Sequence, residues 1–440
     1  MLQVIKLSRS AIMLTSVLWS AHAQAETTLT IATVNNPDML VMEKLSSHFE
    51  AEHPDVKLRW VTLEENVLRQ RVTVDISTHS GQFDVMTVGI YEVPIWAKLK
   101  WLSPFDSIPE TYEVSDLLPS VRNGLTIDGK LYALPFYAES TFTVYRKDLF
   151  AKAGLTMPEH PTWMQIADFA KKINDPANGI YGICLRGKPG WGENMAVLGD
   201  MANSFGGRFF DMGWQPQFTS DPWEKAVAFY VRLLKDAGPP GVTSDGYNEM
   251  LALFAGGHCG MWVDSTVSAG FLTDPKQSKV SDEIGYAQAP YEVTPIGSHY
   301  LWAWTLAVPA TSHQTELAKQ FVQWATSPAY LDLVAQTQGW GLMPPGTRTS
   351  TYENPQYLNA APFAPAVLEA IRTADPNHPT QLPVPYTGIG YASIPEWQAI
   401  GTVAGQYIAG AVSGQDSAAA ALEQAQQATR RTMVQAGYLK

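Results

Sequence analysis

Asp128–Leu155 reads DGKLYALPFYAESTFTVYRKDLFAKAGL. Asp128-Gly129 is a turn signal. A strand-like run broken by Pro135 follows. Phe142–Tyr145 reads as a buried strand, and a helix begins near Lys147. On both sides of this stretch the chain alternates strand and helix signals.

Upstream, TLTIATV is the first strand, and Asn35-Asn36-Pro37 breaks it. Met39, Met42, Leu45 and Phe49 recur at helical spacing, and the helix ends before His53-Pro54, because a residue preceding proline avoids the helical region. VKLRWVTL is the second strand and Phe83–Val88 the third, with helices over 66–77 and 92–100. Downstream, MQIADFAKKI has Ile166, Phe169, Ala170 and Ile173 on one face. GIYGICLRG reads as a strand, GENMAVLGDMANSFGG as a helix, and PWEKAVAFYVRLLKDAG as a helix opened by Asp221-Pro222 and closed by Gly238. HCGMWVDS and YLWAWTLAVPA are strands, TELAKQFVQWATS is a helix, and 393–435 is mostly helical. Such alternation predicts an α/β fold of mainly parallel sheets flanked by helices.

The first 25 residues read as a secretory leader. Lys6 and Arg9 precede a short apolar run at 11–19, and Ala23-Gln24-Ala25 is a small-x-small cleavage site, which places the mature start at Glu26. No cysteine lies near the cut to take a lipid, so a free periplasmic protein is expected. The net charge of −12 and the absence of a basic run disfavour nucleic acid as a partner. Cys184 and Cys259 are the two cysteines. They fit either one disulfide of an exported chain or two buried thiols. Cys-x-x-Cys and other metal-ligand spacings are missing from the sequence, so neither metal nor cofactor is expected.

In open sheets, ligands bind where strands end and loops leave for helices. That rule nominates Asn35 or Asn36, Glu64 or Glu65, Tyr91, Arg186 to Asn194, and Asp264-Ser265. The residue types point to a hydroxyl-rich ligand. Aromatic faces pack against C–H faces of polyhydroxy compounds, and carboxylates, amides and guanidinium satisfy hydroxyls. The candidate binding set is Asn35, Glu64, Tyr91, Glu139, Arg186, Trp191, Asn194, Trp262, Asp264, Trp302 and Trp340. Glu64 is preferred to Glu65, although a one-residue slip exchanges them. Trp302 and Trp304 share a strand face, where either a ligand or a core position fits. Trp60, Trp96, Trp163 and Trp324 are read as core, and a plain Arg186–Asp264 or Arg186–Glu193 pair is the structural alternative for Arg186.

The run LPFYAESTFTVYRKDLFAKAGL at 134–155 resembles the signature of the family-1 extracellular solute-binding proteins of ABC importers. LFAGGHCGMWVDSTVSAGF, WAWTLAVPATSHQTELAKQFVQWATSPAY and GLMPPGTRTSTYENP are similar to later segments of that family. Arg146 departs from the signature, which usually has Asn or Asp after the tyrosine. YRKDLF, RGKPGWGEN and MWVDST are most similar to mannitol/sorbitol-binding members. The resemblance implies a two-lobe clamshell with several hinge crossings, lobe one at 26–138 plus 296–326 and lobe two at 139–295 plus 327–440. It further implies a monomer that captures a sugar alcohol or sugar between its lobes and delivers it to the transmembrane subunits of an ABC permease. Closure is then a hinge motion and a ligand-driven population shift. No catalysis is required. The alternative is an exported carbohydrate-active hydrolase, which also carries tryptophans and paired carboxylates. Against it, the sequence holds no Gly-x-Ser-x-Gly elbow, no His-Glu-x-x-His and no phosphate loop.

Overall fold

The computed structural model describes residues 26–440. The leader expected at 1–25 lies outside the described residues. Among the described residues, ten strands form three sheets. In chain order they are β1 (Thr27–Val34), β2 (Val56–Leu63), β3 (Val85–Gly89), β4 (Thr126–Ile127), β5 (Lys130–Leu131), β6 (Leu134–Glu139), β7 (Thr141–Arg146), β8 (Met261–Ser265), β9 (Ile284–Gln288) and β10 (Trp302–Ala307). The larger sheet has the order β2-β1-β3-β10-β6, and the smaller β8-β7-β9. Strands β4 and β5 make a two-stranded hairpin. Ser140 alone separates β6 from β7, so the stretch Asp128–Leu155 passes directly from the larger sheet to the smaller.

The expectation of a mainly parallel sheet in each lobe needs correction. In the larger sheet β1 pairs parallel with β2 and β3, but β10 runs antiparallel to both β3 and β6. In the smaller sheet β7 is antiparallel to both neighbours. The cause is the crossing. Strands β1, β3, β6, β8 and β9 run towards the space between the sheets, whereas β7 and β10 enter from it and run away. At a crossing strand it is therefore the amino end that meets the cleft: Trp302 is opposite Glu139, and Thr141 is opposite Ser265.

Helices cover these sheets as the apolar spacing predicts. In the helix Asp221–Ala237, Trp223, Ala226, Val227, Tyr230, Leu233, Leu234 and Ala237 are buried along one stripe, and Pro222 stands in the first turn. The helix Trp163–Ile173 starts with a full capping box from Thr162 and Gln165. The strand expected at 179–187 is instead an extended segment with isolated parallel bridges to Cys259 and Trp262. Its ladder is interrupted where Gly182 presses on that helix: a Cβ there would meet the Ala170 carbonyl oxygen at 2.1 Å. Cys184 and Cys259 are disulfide-bonded and buried, which ties this segment to the chain leading into β8. Tyr330 of the helix Pro328–Thr337 packs on Phe136 and Trp324, against the larger sheet. Among the described residues no helix is long and apolar enough to cross a membrane.

Candidate functional site

A cavity lies between the two sheets. Asn36, Glu65, Arg69 and Tyr137 reach it from the first lobe, joined by Trp302 and Trp304, and Glu139, expected to open lobe two, reaches it from the end of β6 in the larger sheet. From the second lobe come Arg186, Trp191, Gly192, Tyr247 and Tyr391, and the crossing before β10 adds Tyr300. Period-2 geometry accounts for two of these pairs: Tyr137 and Glu139 share one face of β6, and Trp302 and Trp304 one face of β10.

The polar floor is a buried network. Arg186 Nε and Nη2 donate to the two Asp264 oxygens at 2.8 and 2.5 Å, and Nη1 donates to the Gly192 carbonyl at 2.7 Å. Its guanidinium lies 5.0 Å over the Tyr247 ring. This bidentate geometry fixes the plane of the guanidinium. Asp264 also accepts from Trp262 Nε1 at 3.0 Å and from the Ser265 backbone N–H at 2.6 Å. Asp264 and Trp262 stand behind Arg186 and do not line the cavity. The Ser265 hydroxyl donates to Glu139 Oε2 across the crossing. Burial pushes the Glu139 carboxyl up to about 8, against the opposing pulls of the Ser265 bond and the Arg186 charge. Glu193 is likewise raised to about 8, first by burial and then by Glu65. A protonated Glu139 is donor and acceptor together, and Arg186 is donor only. Both functions are what a hydroxyl needs.

The aromatic wall spans both lobes. Trp191 meets Trp302 edge-on at 5.4 Å and Tyr91 at 5.3 Å, and Tyr391 meets Trp302 at 5.7 Å. Arg69 sits among the indoles, its Cζ 4.0 Å from the Trp191 ring centroid. Its charge is balanced by Glu65 at 2.8 Å and Glu92 at 3.0 Å. At the rim, Lys188 bonds Glu64 across the lobes at 2.6 Å. The approach is close: a Cβ on Gly192 would meet Glu65 Oε1 at 2.0 Å, so a larger residue there would have to push the Glu65 carboxylate out of its bonds to Arg69.

Of the eleven candidate residues, Glu139, Arg186, Trp191 and Trp302 line this cavity. Asn35 and Glu64 sit at the neighbouring mouth with Lys188 and Asn248. Tyr91 is buried behind Trp191 and donates to the Ile394 carbonyl at 2.6 Å. Asn194 is fully buried, accepting from Gly190 N–H and donating to the Gly405 carbonyl. Trp340 lies in a short 3-10 turn away from the cavity lining. Arg146, the departure from the signature, pairs with Asp148 at 2.6 Å on the far end of β7. Asn36 and Glu65, the alternatives at their strand ends, reach the cavity, whereas Asn35 and Glu64 do not. Arg69, Tyr137, Tyr247, Tyr300, Trp304 and Tyr391 escaped the strand-end rule. Glu65-x-x-x-Arg69 was readable as an i,i+4 helix pair, and Tyr137 and Trp304 as strand neighbours two residues from a candidate. Tyr247 and Tyr391 lie in loops and at a helix start, with no periodic signal.

The family model for bacterial extracellular solute-binding proteins matches residues 35–331. The chain belongs to that family. It is 56% identical to a mannitol-binding protein of Pseudomonas aeruginosa over 418 residues, 95% of this chain and 96% of the relative. A crystal structure of an ABC transporter solute-binding protein from Agrobacterium vitis S4 with bound D-mannitol is also 56% identical. It superposes with a TM-score of 0.92, covering 94% of this chain and all of that one (100%). A ribitol complex from Agrobacterium radiobacter K84, 23% identical over 93% of this chain and 99% of the other, shares the fold at a TM-score of 0.81. The two-lobe α/β architecture is therefore that of the solute-binding proteins.

Proposed function

We propose that this protein is the periplasmic receptor of an ABC importer and that its ligand is a hexitol such as D-mannitol, held between the lobes. The observation that carries the reading is a cavity walled by indoles and floored by Arg186, Glu139 and Tyr247, in a chain 56% identical to proteins named or solved with mannitol. Each polar group there has a hydroxyl's complement of donors or acceptors. The lobes divide near Ser140, between β9 and β10, and after the helix Pro328–Thr337. They close by rotation about these crossings, and a ligand touching both lobes favours the closed form. Lys188–Glu64 and Gly192 against Glu65 belong to that closed form. Cleavage after Ala25 releases the mature chain without a lipid anchor, and the closed monomer docks on the permease's transmembrane subunits.

A melting scan tests the reading. A ligand that binds only the folded state raises the melting temperature, with about 2.7 kcal/mol of stabilisation at a concentration one hundred times Kd. D-mannitol or D-sorbitol is expected to give the largest shift among mannitol, sorbitol, arabitol, maltose and glucose. A flat response to all three polyols would refute the reading.

A further inference from the structure

Sugar rings bind aromatic walls through their apolar C–H face, laid flat on an indole. Here that platform is occupied by the protein's own side chain. The Arg69 guanidinium lies 4.0 Å from the ring centroid of Trp191, 4.5 Å from that of Trp304 and 4.9 Å from that of Trp302. It is 4% exposed, and it is locked there by Nε and Nη2 to Glu65 Oε1 at 3.0 and 2.8 Å and by Nη1 to Glu92 Oε1 at 3.0 Å. A cation so placed is held by the quadrupoles of the rings as well as by its carboxylates. Trp191 also offers a ligand an edge: its Nε1 is buried with no hydrogen-bond partner among the described residues, and the residue lines the cavity.

From this geometry we infer that Arg69 is the specificity residue of the cleft, selecting open-chain polyols and rejecting pyranoses by filling the ring-stacking platform. The inference rests on the polyol reading above and refines it. An acyclic polyol carries hydroxyls on every side of its chain and loses nothing when indole faces are covered. It gains an N–H edge at Trp191 and the donors and acceptors of Arg186, Tyr247 and Glu139. A pyranose loses its flat apolar contact, and that loss is the source of the discrimination.

The test compares D-mannitol with D-mannose by titration calorimetry on the parent and two variants. Arg69→Lys keeps the charge for Glu65 and Glu92 but removes the planar group. Arg69→Met combined with Glu65→Gln and Glu92→Gln empties the platform without stranding buried carboxylates. The parent is expected to prefer D-mannitol by at least about tenfold, because the pyranose forfeits the aromatic stacking contact. Both variants are expected to lose at least about tenfold of that preference through a gain in D-mannose affinity, with cooperative melting retained. Loss of both affinities in equal proportion, or an unchanged ratio in folded Arg69→Lys, overturns the inference. A parent that prefers D-mannose overturns it too. A parent that binds no polyol at all instead overturns the reading on which it rests.

Discussion

Asp264→Ala removes the carboxylate on which Arg186 is built. In the parent that carboxylate receives Arg186 Nε and Nη2, Trp262 Nε1 and the Ser265 backbone N–H, all out of water, with Asp264 2% exposed. Taking away one partner of such a buried pair costs about 3–5 kcal/mol, because the other charge stays buried and uncompensated. Glu193 moderates the loss. Its Oε2 is 3.6 Å from Arg186 Nη1, and its carboxyl, raised to about 8 by burial, ionises once the guanidinium has no nearer anion. The expected loss is therefore near the lower bound, about 3 kcal/mol. With an unfolding entropy of about 2.1 cal/mol/K per residue, a chain of this length should melt roughly 3–4 °C lower while remaining folded at 25 °C. Polyol binding should fall by at least about a hundredfold, since the guanidinium that lines the cavity loses its orientation. The double variant Arg186→Met with Asp264→Leu separates the two effects. Stability should return to within about 1 kcal/mol of the parent, as replacing a whole buried pair by apolar groups is often neutral, while binding stays lost. Circular-dichroism melting and calorimetric titration read both quantities. An Asp264→Ala protein that melts with the parent and titrates unchanged would refute the reasoning, as would a double variant that binds normally.

Other outcomes follow from the same structure. Gly192→Ala puts a methyl where Glu65 Oε1 stands at 2.0 Å; affinity should drop at least about tenfold with the ligand-free melting temperature unchanged, and small-angle scattering with ligand should keep the open radius. Burial raises the carboxyl pKa of Asp38 and Glu92 to about 7 and of Glu139 to about 8. The folded state then holds more protons than the unfolded one, so stability is highest below about pH 4.5 on this count and is lost as pH rises through 7 to 8. Melting temperatures should fall between pH 5.5 and 8.5, and Glu139→Gln should flatten part of that slope; a rise over the window contradicts the assignment. Cys184→Ser with Cys259→Ser opens a disulfide that closes a 75-residue separation. It should cost about 2–5 kcal/mol in denaturant titration, and reduction of the parent should match it.

The sequence carried the strand–helix alternation and with it the layers, while the family resemblance implied the crossing, put between 138 and 139; the sheets change at Ser140. It also carried Glu139, Arg186, Trp191 and Trp302, because each stands at a strand end or in the loop leaving one. It could not carry strand direction in the smaller sheet. Antiparallel β7 follows from the chain entering at the cleft, and that is a property of the crossing, not of any local pattern. The same blindness explains Asp264, whose strand-end position was read correctly while its side chain turns back to hold Arg186. Arg69 lies one helical turn beyond Glu65, outside a rule that looks only at strand ends, and Tyr391 is delivered by a glycine-bearing loop with no period to read. Asn194 sits in the right loop, but its amide serves the Gly190 and Gly405 backbone. Spacing locates a segment; it does not tell which atoms of that segment are already spoken for.

Calorimetric titration of the mature protein with D-mannitol tests the central claim most directly. The account predicts one saturable site per chain, with a negative heat-capacity change from apolar burial on closure and no consumption of the polyol over time. No heat with mannitol, sorbitol or arabitol, or release of reducing sugar from an oligosaccharide instead, would contradict it.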